Sequence, residues 1–117
     1  MQKMKKKCIL RSKFWIDDGE GNVVFGEGRY RILAAVDRLG SLQAAAAELK
    51  MSYRALWGRI RASEERLGRP LVEREGRGSR LTPFARGLMA GFSTLRDRIR
   101  EQSDDLFDQT LSDHLDG

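Results

Sequence analysis

A run of four alanines, Ala44–Ala47, lies between two interruptions of an otherwise helical pattern. Gly40 and Ser41 precede it, and a brief turn at Lys50 follows it. Because glycine ends helices readily and serine caps the next one, Leu42–Leu49 is predicted to be a short separate helix. Its small alanine side chains allow another helix to cross at close range. The chain must therefore supply a neighbouring helix for this segment.

Apolar residues at helical spacing predict a longer helix on each side of the short one. The preceding helix is expected from Gly28 to Gly40, and the following one from a cap at Ser52 to Gly68, with Pro70 two residues beyond. The positions expected to be buried are Ile32, Leu33, Val36 and Leu39 before the short helix, and Leu56, Ile60 and Leu67 after it. These three segments predict a first, a short second and a third helix.

A polar cluster at 17–22 separates two strand-like runs near the N-terminus. The runs are residues 8–15, which mix apolar and basic side chains, and Val23–Phe25, and together they predict a β-hairpin. Acidic and amide side chains alternate in the cluster as they do in a calcium-binding loop. That loop needs a glycine where Val23 stands and a distal bidentate glutamate that is missing, so we interpret the cluster as a turn.

A second hairpin is predicted after the third helix. Leu71–Arg74 and Ser79–Leu81 flank a turn over residues 75–78 that contains Gly76 and Gly78. Three helices followed by a small basic hairpin are the element order of a winged helix-turn-helix. The fold class is therefore predicted to be mainly α, a winged helix-turn-helix with an N-terminal β-hairpin and a long C-terminal helix.

Thr82, followed by Pro83, is predicted to cap that long last helix. Its apolar residues recur at spacings of three or four: Phe84, Leu88, Phe92, Leu95 and Ile99. The stripe either folds back on its own domain or packs against the same helix of a second copy, and we expect a dimer. The predicted organisation is an arm and hairpin (1–27), a winged helix-turn-helix (28–81), and a dimerisation helix with an acidic tail (82–117).

Charge is divided unevenly along the chain. The last seventeen residues hold six of the 17 acidic residues and none of the 22 lysines and arginines, which leaves a formal net charge of +11 on residues 1–100. A basic body favours a polyanionic partner, although a solvated surface with a counter-charged tail has the same composition. Eight arginines and no lysine lie between Arg54 and Arg80. Because a guanidinium group grips guanine edges or phosphate oxygens with two parallel hydrogen bonds, this segment favours double-stranded DNA.

Other functional classes lack the residues that they need. The longest uncharged stretch, Leu39–Ala47, is too short to span a bilayer, and Arg11 and Lys13 interrupt the apolar core of a possible signal peptide. We therefore expect a cytoplasmic protein without a membrane segment, associated with the nucleoid when bound. A single cysteine, Cys8, and a single histidine, His114, leave no disulfide framework, no His/Cys metal site and no catalytic pair. Neither an enzyme nor a cofactor is expected.

The candidate DNA-binding residues lie at the start of the second helix, on the third helix away from its buried stripe, and in the second hairpin. The third helix (52–67) is the expected recognition helix, and the second hairpin (71–81) is called the wing. The candidate residues are Ser41, Ser52, Tyr53, Arg54, Trp57, Gly58, Arg61, Arg74, Arg77 and Arg80. A helix of this kind fits a major groove about 12 Å wide.

Each candidate on the third helix has an ordinary structural alternative. Arg54 and Arg61 also suit an exposed helix surface. Tyr53 either packs against the short helix or offers its hydroxyl to a phosphate, and Trp57 belongs either to the core edge or to the exposed face. Gly58 lowers helix stability by about 1 kcal/mol relative to alanine, which a close approach of DNA or of the second helix would explain.

The basic residues of the wing and of the chain start also allow two interpretations. Arg77 and Arg80 either contact phosphate or belong to a surface hairpin that is simply basic. Arg74 either contacts phosphate or pairs with an acid of the third helix such as Glu65. The lysines of the start are either an arm that follows phosphates or a disordered terminus: Lys3, Lys5, Lys6 and Lys7.

Four segments together resemble a known family of DNA-binding domains. They are Gly40–Ala46, Met51–Trp57, Leu67–Arg74 and Leu81–Thr82. They are similar to the N-terminal DNA-binding domain of the ModE molybdate-responsive regulators, over roughly residues 24–95. The related LysR-type winged helix shares the alanine pair, the Leu-Gly-x-Pro-Leu-x-x-Arg segment and the Leu-Thr pair. The Ser-Tyr start of the third helix, with a tryptophan five residues after that serine, favours the ModE side.

The resemblance implies a prokaryotic, sequence-specific transcription regulator that binds a palindromic site as a dimer, with the first and last helices as contacts. The wing departs from the family, because its turn is shorter than the usual glycine-rich loop. The molybdate-binding domains of ModE would follow this segment. Residues up to Gly117 offer no obvious oxyanion pocket, so no molybdate site is predicted in this chain.

The rival prediction is a protein-interaction module that keeps the helix-turn-helix fold without reading DNA. A protein partner would not need every exposed face of the third helix and wing to be basic. Salt dependence of binding to random duplex separates the two functions, since only a DNA binder loses affinity steeply as salt rises.

Overall fold

Helices and two antiparallel hairpins build residues 7–116, the part of the chain that the computed structural model describes. The elements are β1 (Trp15–Asp17), β2 (Val23–Gly26), α1 (Glu27–Leu39), α2 (Leu42–Glu48), α3 (Tyr53–Leu67), β3 (Val72–Glu75), β4 (Gly78–Leu81), α4 (Pro83–Phe107), a π-helical turn (Asp108–Ser112) and α5 (Asp113–Asp116). The predicted fold class, a mainly α winged helix-turn-helix, is confirmed. The predicted lysine arm lies outside the described residues except for Lys7.

Two compact units divide these elements. One is Phe14–Ala90, which contains both hairpins, α1 to α3 and the start of α4. The other combines residues 7–13 with residues 91–116. In this second unit the carboxylate of Asp116 accepts hydrogen bonds from the backbone N–H of Cys8, at 3.1 Å, and from the hydroxyl of Ser112, at 3.4 Å. No helix among the described residues is long and apolar enough to cross a bilayer.

The N-terminal hairpin is shorter than the sequence predicts. Residues 8–14 form no strand, and β1 begins only at Trp15, so the prediction of a strand over residues 8–15 is wrong for all but its last residue. The register pairs Trp15 with Gly26, where β2 ends, and α1 starts at the next residue. Residues before Trp15 therefore have no strand to pair with. Gly26 permits this pairing because it has no side chain: a Cβ at this position would lie only 3.0 Å from the Trp15 Cβ.

Asp18 organises the loop of this hairpin as the predicted turn. Its carboxylate accepts hydrogen bonds from the backbone N–H of Glu20 at 2.8 Å and from the Asn22 side chain at 2.9 Å. These two bonds, that of Asn22 first, lower the pKa of Asp18 below its ordinary value. No group of three or more metal-ligating side chains occurs in residues 7–116.

The predicted helix ends are confirmed by capping contacts. Gly40 is left-handed, with φ of 68°, and its N–H donates to the Val36 carbonyl at 2.8 Å. The hydroxyls of Ser41, Ser52 and Thr82 each accept a hydrogen bond from the backbone N–H three residues later, at 3.0 to 3.1 Å. Local interactions of this kind are worth about 1 kcal/mol each.

The core joins the inner faces of α1, α2 and α3 to the two hairpins. The predicted Ile32, Leu33, Val36, Leu56 and Ile60 are buried, as are Phe25 of β2 and Leu71 and Leu81 around the wing. Ala45 and Ala46 are the buried pair of the alanine run, so α2 packs through small side chains. The prediction for Leu39 is wrong: it is 37% exposed, because the chain turns away at Gly40.

Candidate nucleic-acid interface

One face of α3 carries exposed side chains and points away from the core. Arg54, Gly58 and Arg61 follow one another at spacings of four and three, opposite the buried Leu56 and Ile60. Among residues 7–116 Arg54 has neither an ion pair nor a hydrogen-bond partner. A Cβ at Gly58 would have no atom within 4 Å, so the second helix does not approach closely enough to require a glycine there. The face is thus open, cationic and free of protein cover.

An open cleft of about 470 Å³ lies beside this face, between α2, α3 and the wing. Three of its walls bring together predicted residues: Ser41 from the start of α2, Tyr53 and Trp57 from α3, and Arg74 and Arg77 from the wing. It is also lined by residues that the sequence did not single out: Leu42, Gln43, Val72, Glu73, Gly78 and Ser79. Five of the ten predicted DNA-binding residues therefore share one concavity.

Trp57 lies at the border between core and cleft. It is half-buried and lines the cleft, and the guanidinium carbon of Arg61 sits 5.7 Å from its ring centre. Both alternatives for Trp57 are therefore partly met, because the indole packs on the protein and still presents a surface to the cleft. A cation over an indole face is attracted by the ring quadrupole, which orients Arg61.

The wing turns more tightly than predicted. The register pairs Glu75 with Gly78, so the turn contains only Gly76 and Arg77 instead of the predicted four residues. The reason is backbone geometry, since Gly76 adopts φ of 59°, which glycine reaches without strain. Arg77 is left at the tip, exposed and without an ion pair in the described part of the chain.

The base of the wing is held against the turn between α1 and α2. The N–H of Ser79 donates to the carbonyl of Gly40 at 2.9 Å. At Gly78, a Cβ would lie 2.3 Å from the same carbonyl oxygen, far inside van der Waals contact. Only a glycine at this position allows the two backbones to approach so closely, so Gly78 sets the position of the wing.

A buried carboxylate ties α3 to the wing. Glu64 accepts hydrogen bonds from the backbone N–H groups of Leu71, at 2.7 Å, and Val72, at 3.4 Å. Its other oxygen lies 3.5 Å from the Arg61 guanidinium. Sequence reasoning missed Glu64, but a signal existed: it is an acid four residues after Ile60, on the apolar stripe of the helix.

Arg80 has partners that the sequence did not predict. Its guanidinium donates to Glu73 at 2.8 Å and to Glu75 at 3.4 Å. The antiparallel register causes this, because it places Arg80 directly opposite Glu73. Arg74 makes no ion pair with Glu65 or with any other described acid. Of the three wing arginines, Arg74 and Arg77 are therefore free for another anion, whereas Arg80 would have to exchange its carboxylates.

The predicted dimer residues on α4 differ in how much surface they offer. Leu95 is 44% exposed, whereas Phe84, Leu88 and Ile99 are half-buried. Phe92 is 3% exposed, so it offers little surface for the predicted contact. Leu95 is therefore the most exposed of the predicted interface residues.

Comparison with protein families agrees with this arrangement. A family model described as "Bacterial regulatory helix-turn-helix protein, lysR family" matches residues 28–86. The chain is 36% identical over 75 residues to the molybdenum-pterin-binding protein MopB of Rhodobacter capsulatus, a match that covers 60% of this chain and 28% of that protein. It is 30% identical over 94 residues to the molybdenum transport protein ModE of Azotobacter vinelandii, covering 76% and 35%. The chain thus spans about a third of the length of such curated relatives.

Solved structures of similar fold include two complexes with DNA. The CbnR DNA-binding domain in complex with DNA superimposes with a TM-score of 0.55 at 26% identity, covering 67% of this chain and 90% of that one. The BenM DNA-binding domain on the benA site 1 DNA gives a TM-score of 0.56 at 26% identity, covering 73% and 94%.

Proposed function

Because the chain belongs to the bacterial regulatory helix-turn-helix proteins of the LysR family, we propose that it binds double-stranded DNA and regulates transcription. The observation that carries the proposal is the open cationic face of α3, flanked by the free arginines of the wing. An α-helix with its side chains is about 10–12 Å across, which matches the width of the major groove. This regulatory role involves no catalysis, and it takes place in the cytoplasm, where bacterial DNA lies.

Within this proposal the residues divide into two roles. Arg54, exposed on the first turn of α3, reads a base edge with its planar fork. Trp57 offers the exposed part of its indole to the DNA, and Gly58, which has no side chain, allows the groove floor to approach. Ser41, Ser52 and Tyr53 meet phosphates near the helix starts, where N–H groups and hydroxyls point outward. Four arginines neutralise phosphates: Arg61, Arg74, Arg77 and Arg80. Of these, Arg61 must first leave Glu64, and Arg80 must first leave Glu73 and Glu75.

The finer part of the proposal is a two-fold dimer that binds a palindromic site. The exposed Leu95 on α4, with its half-buried apolar neighbours, supports a contact with the same helix of a second copy. Two recognition helices related in this way read half-sites about 34–36 Å apart, one turn of DNA. The winged helix-turn-helix (28–81) then reads DNA, and residues 82–117 join the copies.

Selection of bound sequences from a random duplex pool tests this function. We expect an enriched inverted repeat, and affinity that falls steeply between low and moderate salt, because cationic side chains displace counterions from phosphates. Absence of any salt-dependent duplex binding would instead favour the protein-interaction module.

Replacing Arg54 with alanine is expected to weaken binding to the selected site by about 1–3 kcal/mol and to relax the preference at one base position. The reason is the loss of two parallel hydrogen bonds to one base edge. Fluorescence anisotropy on the selected site and on random duplex measures both effects.

Arg77→Ala is the matched control for that variant, because it removes the same charge from the wing tip. It is expected to weaken specific and random binding to a similar extent. If Arg54→Ala also lost both equally, Arg54 would be a phosphate ligand rather than a base reader.

Leu95→Glu is expected to raise the dimer dissociation constant by at least about tenfold, because it places a charge at the centre of an apolar contact. Sedimentation velocity over a concentration series measures this constant. Thr94→Glu adds the same charge at the neighbouring exposed position and should have a smaller effect. An unchanged profile for Leu95→Glu would remove α4 from the interface.

A further inference from the structure

A cluster of three arginines, one on α1 and two on α3, lies on the side of α3 away from the wing. Ser63, which is fully buried, accepts a hydrogen bond from Nε of Arg29 on α1 at 3.3 Å. Arg59 and Arg66 lie one turn before and one turn after Ser63 on the same face of the helix. Arg66 also donates to the carbonyl of Val23 in β2. Arg29 thus contacts the Ser63 hydroxyl, and the charges of Arg59 and Arg66 lie close enough to act on it.

The positive charge of this cluster is not neutralised by the protein. In the described part of the chain none of the three arginines forms an ion pair with a carboxylate. Burial lowers the pKa of Arg29, and the charges of Arg59 and Arg66 lower it further. Arginine nevertheless stays protonated in proteins, so the three groups repel one another. Asp18 is close enough to feel Arg66, but its oxygens are held within its own turn.

The cluster and the wing lie on opposite flanks of α3. At 3.6 residues per turn, Arg59 is about 200° around the helix from Trp57, which faces the wing cleft. Arg66 faces β2, to which it is bonded. Between these flanks lies the face that carries Arg54 and Gly58. If that face points to the floor of the major groove, the wing flank therefore faces one wall of the groove and the cluster flank faces the other.

We propose that Arg29, Arg59 and Arg66 together bind a backbone phosphate of DNA on the groove wall opposite the wing. This inference rests on the proposed function and extends it to a second DNA strand contact. Guanidinium groups match phosphate oxygens in charge and geometry, and a phosphate between them removes their mutual repulsion. Arg29 and Arg66 are oriented by protein acceptors, while Arg59 is exposed and closes the site when DNA is present.

The test is the salt dependence of duplex binding by Arg59→Ala, the cluster variant that breaks no hydrogen bond of the described fold. We expect affinity to fall for selected and random duplex alike, and the slope of log K against log salt to decrease by about 0.9, the value for one lost phosphate contact. Arg59→Lys should keep the slope, because lysine still neutralises a phosphate. Arg31→Ala, which removes an exposed arginine on the far side of α1 from Arg29, should leave it unchanged.

A duplex carrying single neutral methylphosphonates locates the contact. One position should weaken the wild-type protein but have no further effect on Arg59→Ala, and this position should lie across the groove from the one coupled to Arg77. If the wild-type protein bound duplex and Arg59→Ala kept the same salt slope, this inference would be overturned and the proposed function would stand. Loss of all duplex binding by the wild-type protein would overturn the proposed function. If inorganic phosphate bound in a way that required Arg59 but did not compete with duplex DNA, the cluster would be a site for a free anion. That result would overturn the DNA contact.

Discussion

Gly78→Ala is expected to lower the free energy of unfolding by about 2–3 kcal/mol, in the upper part of the range for overpacked sites. The new Cβ would lie 2.3 Å from the Gly40 carbonyl oxygen, an atom of the backbone that cannot rotate away. The wing must therefore move, and the hydrogen bond from Ser79 to Gly40 must lengthen or break. Since the wing carries Arg74 and Arg77, duplex affinity should fall as well.

Urea unfolding followed by circular dichroism measures the stability change as a shift of the midpoint at constant slope. Gly87→Ala is the matched control, because a Cβ there meets no atom within 4 Å and the residue lies inside α4. That variant should be neutral or more stable by up to about 1 kcal/mol. Equal stability of Gly78→Ala and the wild type would mean that wing and α1–α2 turn are not packed as described.

Glu64→Ala is expected to destabilise the fold by about 1–3 kcal/mol, since it leaves buried donors without an acceptor. The N–H groups of Leu71 and Val72 lose their shared carboxylate, and Arg61 loses its ion pair. Because the same carboxylate connects α3 to the wing, the arginines on these two elements should also lose their fixed separation. The same urea experiment measures the first effect, and duplex affinity measures the second.

Two further variants separate the roles of the Glu64 side chain. Glu64→Gln keeps an oxygen acceptor for the backbone and should recover most of the stability but not the ion pair with Arg61. Glu65→Ala removes an exposed carboxylate one residue away and should change stability by less than about 0.5 kcal/mol. If both alanine variants behaved alike, Glu64 would contribute only its charge.

The wing shows how much of the site could be predicted and where prediction ended. Its two strands and its glycines follow from the sequence, because strand propensity and turn residues act over a few positions. The register does not follow from them, and the register alone places Arg80 opposite Glu73 and leaves Arg77 at the tip. The sequence therefore indicated a carboxylate partner only for Arg74, whereas Arg80 has such partners and Arg74 and Arg77 are free.

The residues of the recognition helix show the same difference between what the sequence predicts and what it does not. Helical periodicity correctly predicted that Arg54 and Arg61 point away from Leu56 and Ile60, because that direction depends only on residue spacing. It did not predict the cluster of Arg29 with Arg59 and Arg66, although the spacing of Arg59, Ser63 and Arg66 on one face was a readable signal. Arg29 is 34 residues from Ser63, and only the packing of α1 on α3 joins them.

What the sequence determined by itself is where α2, α3 and α4 begin, since the caps at Ser41, Ser52 and Thr82 bind an N–H only three residues away. What only the tertiary structure decided is which distant groups meet: the wing backbone at the Gly40 carbonyl, Glu64 at the start of β3, and β1 against the short β2. The reason is physical range. A capping bond forms wherever its residues occur, whereas these contacts exist only after the core has brought separate segments within about 3 Å of each other.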